Sequence, residues 1–483
     1  MPRRVVSVTD NVRERGTGYG RGKRMRRWWE TPGIAAPGWF ECAGRRGGGR
    51  RIMRLELHEV VIRRIQWGDR TGAWNGVLTV NREEAAAEVA KDERFASVCL
   101  DLAHPGEKVR IIPVKDVVEP RVKLARSGEP LGYFPGFFAP AGTAGKGVTL
   151  VLRGAAVVTC GPIVAFQEGF IDMSGPGAAY TPFSETANLV LTVEPDPRLT
   201  KHAYEEALRL AGLRLAVYLA TAARNATPDA ISVYEKGNVS DEAIRLPDLP
   251  RVLHVCMAIT QGLLHDTFVH GGDMKASLPV LLHPNEVLDG AVVSGNCVSA
   301  CDKNTTWHHQ NDPVVRALYR RHGEDLNFLG VVVTPEDVRL AGKERAASMN
   351  AALAESLGAR GVIVTEEGYG NPDTDLCLNA KQMECRGIRT VIIADEAAGT
   401  DGASQGLADS APEIAAFVST GNVNEMIEVP AMERVLGYPD AIALLSGGAP
   451  ESLRPDGSMF VELQSVIGST CELGAGRWGC AEF

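Results

Sequence analysis

The sequence predicts a mixed α/β fold, in which a strand-rich amino-terminal region is followed by a doubly wound, parallel α/β domain at the carboxyl end. Three observations lead to this class. Short β-branched runs separated by Gly and Pro fill most of residues 53–195, and a strong helical stripe follows near residues 201–224. From about residue 327 onward, strands alternate with helices. The chain has 483 residues, of which 45% are hydrophobic and 23% are charged, so it can bury a sizeable core.

The amino-terminal strands are predicted from the runs "LELHEVVIRRI", "NGVLTV", "SVCLDL", "KVRIIPV", "GVTLVL" and "AAVVTC". A short helix, "REEAAAEVAKD", interrupts them. In the helix near residues 201–224 the apolar positions repeat every three or four residues. They are Tyr204, Leu208, Ala211, Leu215, Tyr218 and Ala222. Two further strands, "VLHVCMAIT" and "AVVSG", follow, and the second ends at a tight turn before Cys297.

The carboxyl-terminal strands are predicted from "NFLGVVVT", "GVIVT", "RTVIIAD", "IAAFVST" and "AIALLSG". Between them lies a helix over residues 341–357, which ends at Leu357-Gly358. Ligands of such sheets bind beyond the carboxyl ends of the strands. The loops at those ends are rich in carboxylates and amides, and we expect them to face one cleft. Their residues are Glu366, Glu367, Asn371, Asp395, Glu396 and Asn422.

Charge divides the chain into two unequal parts. Residues 1–52 hold 13 Lys/Arg and 4 Asp/Glu, a net charge of +9, and because the whole chain carries −9, residues 53–483 carry −18. A nucleic-acid arm and a targeting peptide are two interpretations of the basic segment. The third, which we favour, is a disordered extension outside the native fold, with the true chain beginning at Met53. The acidic remainder argues against a nucleic-acid partner.

The composition also limits the cellular setting. We find no run of about 18 apolar residues, so we expect no membrane partner. Ten cysteines are scattered through apolar stretches, which is typical of reduced thiols in a cytoplasmic protein. Without a second Cys pair or a His cluster at ligand spacing, we expect no metal site.

The segment "VVSGNCVSACDKN" carries the clearest chemical signal, because Cys297 follows Gly295-Asn296 at the end of an apolar run. Four interpretations compete. Cys297 could be a buried residue after a turn in which Gly and Asn accept positive φ. It could pair with Cys301 in a metal or redox site, or act as a nucleophile paired with His265 or His270.

The fourth interpretation is self-processing. The Cys297 thiol can attack the carbonyl of Asn296, which shifts the chain from nitrogen to sulfur. Elimination from that thioester leaves dehydroalanine at residue 297, and hydrolysis gives a pyruvoyl group at a new chain start. Thiolate is accessible near neutral pH and leaves well. The spacing alone does not choose among the four interpretations.

From Met53 onward the sequence resembles the proprotein subunit of component B of the glycine/sarcosine/betaine reductases. The segments that carry the resemblance include "KVRIIPVKDVVEPRVK", "GFIDMSGPGAAYTPFS", "TQGLLHDTFVHGGD", "DGAVVSGNCVSACDKN", "EEGYGNPDTDL" and "DGASQGLADS". The resemblance implies cleavage between Asn296 and Cys297, with Cys297 as the pyruvoyl precursor. It therefore implies an alpha-chain region over 53–296 and a beta-chain region over 297–483, with the α/β domain at about 327–483.

The resemblance also implies the reaction. A substrate amine of the glycine, sarcosine or betaine class would form a Schiff base with the pyruvoyl carbonyl. A selenolate on a partner would then displace the amine, and the product would lead to acetyl phosphate. The implied partners are a selenocysteine-containing companion subunit of component B, the small selenoprotein component A, and component C downstream.

Several residues are candidates for supporting roles. Asp302 and Lys303 could shuttle protons or bind a carboxylate, Cys301 could be a packing residue, and His265 with Asp266 could form a base and its orienter. The carboxylates in "FQEGFIDMSGPG", Glu168 and Asp172, could line the cleft. Two other functions remain open: a pyruvoyl-dependent amino acid decarboxylase, and a non-catalytic scaffold subunit.

Overall fold

The computed structural model describes residues 52–295 and 304–475, and the basic segment 1–51 lies outside the described residues. Helices α1–α8 of these ranges are Arg82–Val89, Lys201–Ala222, Val239–Arg245, Pro284–Leu288, Thr306–Gln310, Pro313–Arg321, Leu340–Ser356 and Asn371–Glu384. None of them is long and apolar enough to cross a bilayer.

The strands of the amino-terminal half form mostly short, mixed sheets. Strands β1–β13 are Ile52–Val61, Arg64–Trp67, Gly72–Trp74, Val77–Val80, Phe95–Ala103, Val109–Ile112, Val114–Val118, Arg121–Leu124, Gly147–Arg153, Ala155–Cys160, Ile171–Asp172, Ala187–Pro195 and Ala230–Gly237.

The remaining strands belong largely to the carboxyl-terminal half. Strands β14–β25 are Arg251–Ala258, Phe268–Val269, Gly272–Asp273, Val280–Leu282, Val292–Val293, Asn327–Pro335, Gly361–Thr365, Arg389–Glu396, Phe417–Asn422, Met426–Val429, Arg434–Gly437 and Met459–Glu462.

Two four-stranded sheets, in the orders β13-β1-β9-β8 and β5-β12-β10-β7, organise the amino-terminal half. Helix α2 packs against both, because its buried stripe lies in the same apolar cluster as strand residues such as Leu150 and Leu189. Thr200 caps the helix by accepting a hydrogen bond from the Ala203 amide at 3.2 Å. The predicted helix near 201–224 is therefore confirmed, as is the short helix α1.

A six-stranded sheet in the order β17-β19-β14-β20-β21-β22 forms the second half of the fold. Strands β19, β14, β20, β21 and β22 run parallel, and β17 joins β19 antiparallel at the edge. Helices α7 and α8 pack on one face and α6 on the other. The parallel, doubly wound arrangement predicted from sequence is thus present in a mostly parallel form.

Two details of the predicted α/β domain were wrong. The sheet does not begin near residue 327, since β14 lies in its interior and β17 at its edge. The run "AIALLSG" is not a strand; residues 439–441 form a 3-10 turn and residues 442–447 no regular element. A cut after residue 296 would consequently divide strands of one sheet between two pieces, which backbone hydrogen bonds would hold together.

Candidate active site

The predicted cleavage residues Asn296 and Cys297, with Cys301, Asp302 and Lys303, lie outside the described residues. The residues on either side are described, and hydrogen bonds tie them together. The Ser294 amide donates to Thr306 Oγ1 at 3.1 Å. The chain therefore enters and leaves residues 296–303 at one place in the fold.

Asp116 anchors this junction from strand β7. Its Oδ1 accepts from the Thr306 amide at 2.9 Å, and its Oδ2 accepts from Thr306 Oγ1 at 2.6 Å. Both residues are buried, and a hydrogen bond to a buried carboxylate is stronger than one between neutral groups. Asp116 thereby fixes the start of helix α5 against the end of β18. Asp116 was not predicted as a site residue because "VKDVVEP" has the pattern of an ordinary strand.

Gly295 is required by close approach and not by an unusual backbone angle. A Cβ at this position would lie 2.2 Å from the Asp266 carbonyl oxygen and 2.7 Å from Phe268 Cε2. The φ of Gly295 does not fall in the left-handed region, so the positive φ suggested for it from sequence is not found. The glycine lets the chain pass directly over the Asp266 backbone just before Asn296.

His265 and Asp266 do not form the expected pair. His265 Nδ1 lies 3.4 Å from Asp273 Oδ2, and its ring is partly exposed. Asp266 Oδ2 instead accepts from the Gly262 amide at 2.9 Å and lies 3.2 Å from Lys275 Nζ. Burial raises the pKa of Asp266 to about 6, although Lys275 acts in the opposite direction. The carboxylates that face His265 are Asp273 and, 3.8 Å from its Nε2, Glu205.

Glu168 and Asp172 are held in buried ion pairs. Lys115 Nζ donates to Glu168, and Arg110 binds Asp172 through two bonds of 2.7 and 2.8 Å. Burial raises the pKa of both carboxyls, while their cationic partners lower it. The Arg110–Asp172 pair is part of the structural framework. The Lys115–Glu168 pair lies closer to the junction, because Lys115 lines a cavity beside Ser294 and Gly295.

A small cavity of about 20 Å³ adjoins Ser294 and Gly295. Its polar lining combines two cations with two carboxylates. They are Lys115, Arg209, Asp116 and Glu205. Its size and polarity suit a small group rather than a large apolar ligand. Arg209 lies on the buried side of α2, where the helical pattern predicted only apolar residues at the interface.

The carboxyl edge of the six-stranded sheet adjoins the junction from the other side. Glu367, two residues after the end of β20, has its Oε1 3.0 Å from His309 Nε2 on α5. Its second oxygen accepts from the Ile259 amide at 2.9 Å and from Thr267 Oγ1 at 2.7 Å. Burial raises the pKa of Glu367, but His309 and these donors outweigh it and the net shift is downward.

The contact between His309 and Glu367 lies at the switch point of the sheet. The chain passes from β14 to β19 on one side and then crosses back to β20 on the other, so β14 and β20 are neighbours whose loops diverge. Ligands of open α/β sheets bind at such a point. The helix that follows residues 296–303 is therefore fastened to the expected ligand-binding edge.

Buried carboxylates gather at the same edge. Glu336 Oε1 accepts from the Glu367 amide at 3.3 Å, and Glu472 Oε2 accepts from the Gly368 amide at 2.8 Å. Glu336 Oε2, Glu472 Oε1 and both oxygens of Glu366 have no hydrogen-bond partner among the described residues. Burial, together with the neighbouring carboxylates, raises the pKa of all three groups well above the ordinary range.

The residues predicted to share this edge lie at or beyond the carboxyl ends of the parallel strands β20, β21 and β22, and therefore at one end of the sheet. That they face one cleft stays a prediction. Their contacts differ. Asn422 Oδ1 accepts from the Ala398 amide at 3.1 Å, and the Asn371 carbonyl accepts from Lys343 Nζ at 2.8 Å, so both stabilise loops. Glu336 and Glu472 were missed because neither stands in a motif. Within the described ranges, no three His, Cys, Asp or Glu side chains are arranged to hold a metal ion.

Comparisons with known proteins agree over nearly the whole described chain. Residues 53–481 match the family model described as glycine/sarcosine/betaine reductase component B subunits. The chain is similar to the glycine reductase complex component B subunits alpha and beta of Acetoanaerobium sticklandii, with 51% identity over 424 residues, or 87% of this chain and 98% of the relative. No solved structure matches it.

Two other relatives, both from Peptoclostridium acidaminophilum, differ in the substrate that their names give. The sarcosine reductase complex component B subunit alpha is 49% identical over 418 residues, covering 86% of this chain and 97% of the relative. The betaine reductase complex component B subunit alpha is 39% identical over 430 residues, covering 86% and 96%. In both, the alignment is long enough to include both sides of residues 296–303.

Proposed function

The chain belongs to the glycine/sarcosine/betaine reductase component B subunits, and from this membership we propose that it is a proprotein that cleaves itself between Asn296 and Cys297. As an alpha/beta subunit of component B, it is part of a reductase complex. The observation that carries the proposal is the 51% identity to a relative whose name assigns subunits alpha and beta to one chain. The tripeptide Gly295-Asn296-Cys297 offers the chemistry for such a division.

The flanks of the segment suit a self-cleaving site. Ser294, Thr306 and Asp116 hold both ends of the segment in place, so its reacting groups would be confined near one another. Gly295 has no Cβ to clash with the Asp266 carbonyl, so the chain can approach Asp266 closely just before the proposed bond. Because β14 and β17 precede the cut and β19–β22 follow it, the two pieces would remain one body.

The residues present fit a small carbonyl-bearing group at residue 297. The cavity beside Gly295 is small and polar, and Arg209 Nη1, which is buried, has no hydrogen-bond partner in the described part of the chain. When formed, a pyruvoyl group would supply an electrophilic carbonyl that draws electrons from the substrate nitrogen. Lys115 and Asp116 would border the position where a substrate meets that carbonyl.

The carboxyls at the sheet edge are candidates to hold the proton that a departing amine takes up. Burial and the neighbouring carboxyls raise the pKa values of Glu336, Glu366 and Glu472 well above the ordinary range, which favours their neutral, protonated forms. Glu472 is next to Cys471, whose thiol donates to Asn304 Oδ1 at 3.0 Å, so the set adjoins the end of segment 296–303. A neutral carboxylic acid near the site is a general acid.

For substrate, we propose glycine or sarcosine in preference to betaine, because the identity to the relatives named for them is 51% and 49%, against 39%. We propose a selenocysteine-containing companion subunit and the small selenoprotein component A as partners, with component C acting downstream. The nucleophile that displaces the amine would then come from a partner.

The test is the state of the purified chain on a denaturing gel. Wild type should give two pieces that separate only on denaturation, and Cys297→Ala should give one uncut, inactive chain. Cys301→Ala is the matched control and should still be cut. An intact wild-type chain in a preparation that reduces glycine would refute the proposal.

A further inference from the structure

Arg209 lines the cavity at the junction and has hydrogen-bonding capacity left over in the described part of the chain. Its side chain is only 5% exposed, and its Nη1 has no partner there. A buried guanidinium N–H without an acceptor lowers the stability of the fold, because it has lost its hydrogen bond to water and gained none in the protein. Such an atom at the edge of a cavity indicates a missing acceptor.

The neighbours of Arg209 hold its guanidinium group in place but do not provide an acceptor for each of its N–H groups. Its Nε donates to Glu205 Oε1 at 3.4 Å, a long bond. Its guanidinium lies 4.0 Å from the centre of the Phe268 ring and 5.9 Å from that of Phe137. Stacking on an aromatic ring orients a guanidinium and leaves its in-plane N–H groups free to donate.

The same ring places Arg209 at the cleavage site. Phe268 is the side chain that a Cβ on Gly295 would touch at 2.7 Å, and Arg209 and Gly295 line one cavity. The other cation there, Lys115, is bonded to Glu168. Arg209 is thus the better placed of the two cations to receive an incoming anion.

We propose that Arg209 binds the carboxylate of the substrate amino acid through Nη1. This inference rests on the proposed function and identifies the part of the substrate that this side of the site recognises. Glycine, sarcosine and betaine, the compounds in the relatives' names, share a carboxylate one carbon from the nitrogen and differ only at the nitrogen. The cavity of about 20 Å³ has room for one water-sized group, such as a single oxygen of that carboxylate, and the acidic Glu205 and Asp116 in its lining suit the cationic end of a zwitterion.

The test uses the assembled component B with wild-type chain, Arg209→Gln, Arg209→Lys and the control Arg214→Gln. Arg214 is on the same helix and lies over Phe138 at 5.6 Å, but it does not line the cavity. Glycine binding is measured by calorimetry, KM and kcat are measured with the complete complex, and cleavage is followed on gels.

Arg209→Gln should weaken glycine binding and raise KM by about 10- to 100-fold, as expected for loss of a charge-assisted hydrogen bond, with a smaller change in kcat. Arg209→Lys should recover part of the affinity. Arg214→Gln should bind like wild type, and all four chains should be cut at equal rates.

Unchanged glycine affinity in Arg209→Gln would overturn the inference. So would loss of cleavage in both Arg209 variants, because the residue would then serve processing. If wild type is not cut, the proposed function fails, whereas the calorimetric comparison of Arg209→Gln with Arg214→Gln still decides whether Arg209 holds a carboxylate.

Discussion

The amino-terminal sheets and the carboxyl edge of the six-stranded sheet both bury acidic side chains, but the partners of those side chains differ. In the amino-terminal sheets, buried carboxylates bind cations, as in the pairs Arg110–Asp172, Arg121–Glu119 and Lys123–Asp289. At the sheet edge, Glu336, Glu366 and Glu472 are surrounded by other carboxyls.

The difference separates charges that hold the fold from groups that are available for chemistry. A buried ion pair satisfies both partners and leaves nothing for a ligand. Carboxyls crowded together away from water have raised pKa values, and here several of their oxygens have no hydrogen-bond partner in the described part of the chain, which is typical of functional sites. The junction around Gly295 lies between the two regions, with Asp116 from the first and Glu367 from the second.

The largest effect should come from breaking a pair in the amino-terminal sheets. Arg121 is fully buried and donates to Glu119 Oε2 at 2.7 Å, to the Leu288 carbonyl at 2.7 Å and to the Gln310 carbonyl at 3.0 Å. Arg121→Met should lower the free energy of unfolding by about 3–5 kcal/mol, since buried acceptors would remain. Thermal denaturation and soluble yield measure this.

The control for Arg121→Met is Arg321→Met, which removes half of the exposed Arg321–Asp325 pair. It should leave the melting temperature nearly unchanged because exposed ion pairs contribute little. Equal melting temperatures for Arg121→Met and wild type would show that the amino-terminal pairs are not what holds that region.

A smaller effect is expected at the junction. Gly295→Ala places a Cβ against the Asp266 carbonyl, so the backbone must shift beside the proposed cleavage site. The rate of cleavage should fall about 10- to 100-fold, which corresponds to the 1–3 kcal/mol typical of overpacking. Pulse-labelled chain resolved on gels gives the rate.

Gly142→Ala serves as the matched control, since a Cβ there meets no atom within 4 Å. It should be cut at the wild-type rate. Normal cleavage of Gly295→Ala would contradict the view that the chain needs this close approach at residue 295.

The smallest effect should come from neutralising a carboxyl at the sheet edge. Unlike the other changes, this one should raise the melting temperature. The pKa of Glu366 is raised in the folded state, so its contribution to stability is full below its unfolded pKa and is lost as pH rises towards the folded value. Glu366→Gln stays neutral, so its melting temperature should fall less than that of wild type from pH 5 to 8. The gain at the upper end should be about 1–3 °C.

Asp172→Asn tests the contrast directly. Its carboxylate is bound by Arg110 through two bonds, so this isosteric change should destabilise the protein. If Glu366→Gln and Asp172→Asn shift the melting temperature in the same direction, the distinction between paired and crowded carboxyls is wrong. Loss of activity in a more stable Glu366→Gln protein would locate function at the edge.

The sequence was sufficient for elements whose pattern is local. Helix α2 has an apolar stripe along its length, and α7 ends at Ser356 with Leu357 as its cap, followed by Gly358, whose φ of +69° is the conformation expected of a glycine just after a helix. The strand in "VLHVCMAIT" was also found, but its place in the middle of the second sheet was not. Parallel pairing joins segments far apart in sequence, and no local signal reports it.

The candidate site was predictable only for those of its residues that lie together in one segment of the sequence. Gly295 stood out, although for close approach and not for its backbone angle. Asp116 and Arg209 come from a strand and a helix with ordinary patterns, and tertiary packing alone brings them to the junction. His265 was paired with its sequence neighbour, whereas the fold gives it Asp273.

The most direct test of the account is the intact mass of the piece that begins at residue 297, taken from active component B with and without borohydride and isotopically labelled glycine. We predict a piece lighter than one with an amino-terminal cysteine by ammonia and hydrogen sulfide and heavier by water, because the sulfur and nitrogen of residue 297 are replaced by one carbonyl oxygen. Borohydride with labelled glycine should add the label to this piece alone. A free cysteine at residue 297, or an uncut chain in active component B, would contradict the account.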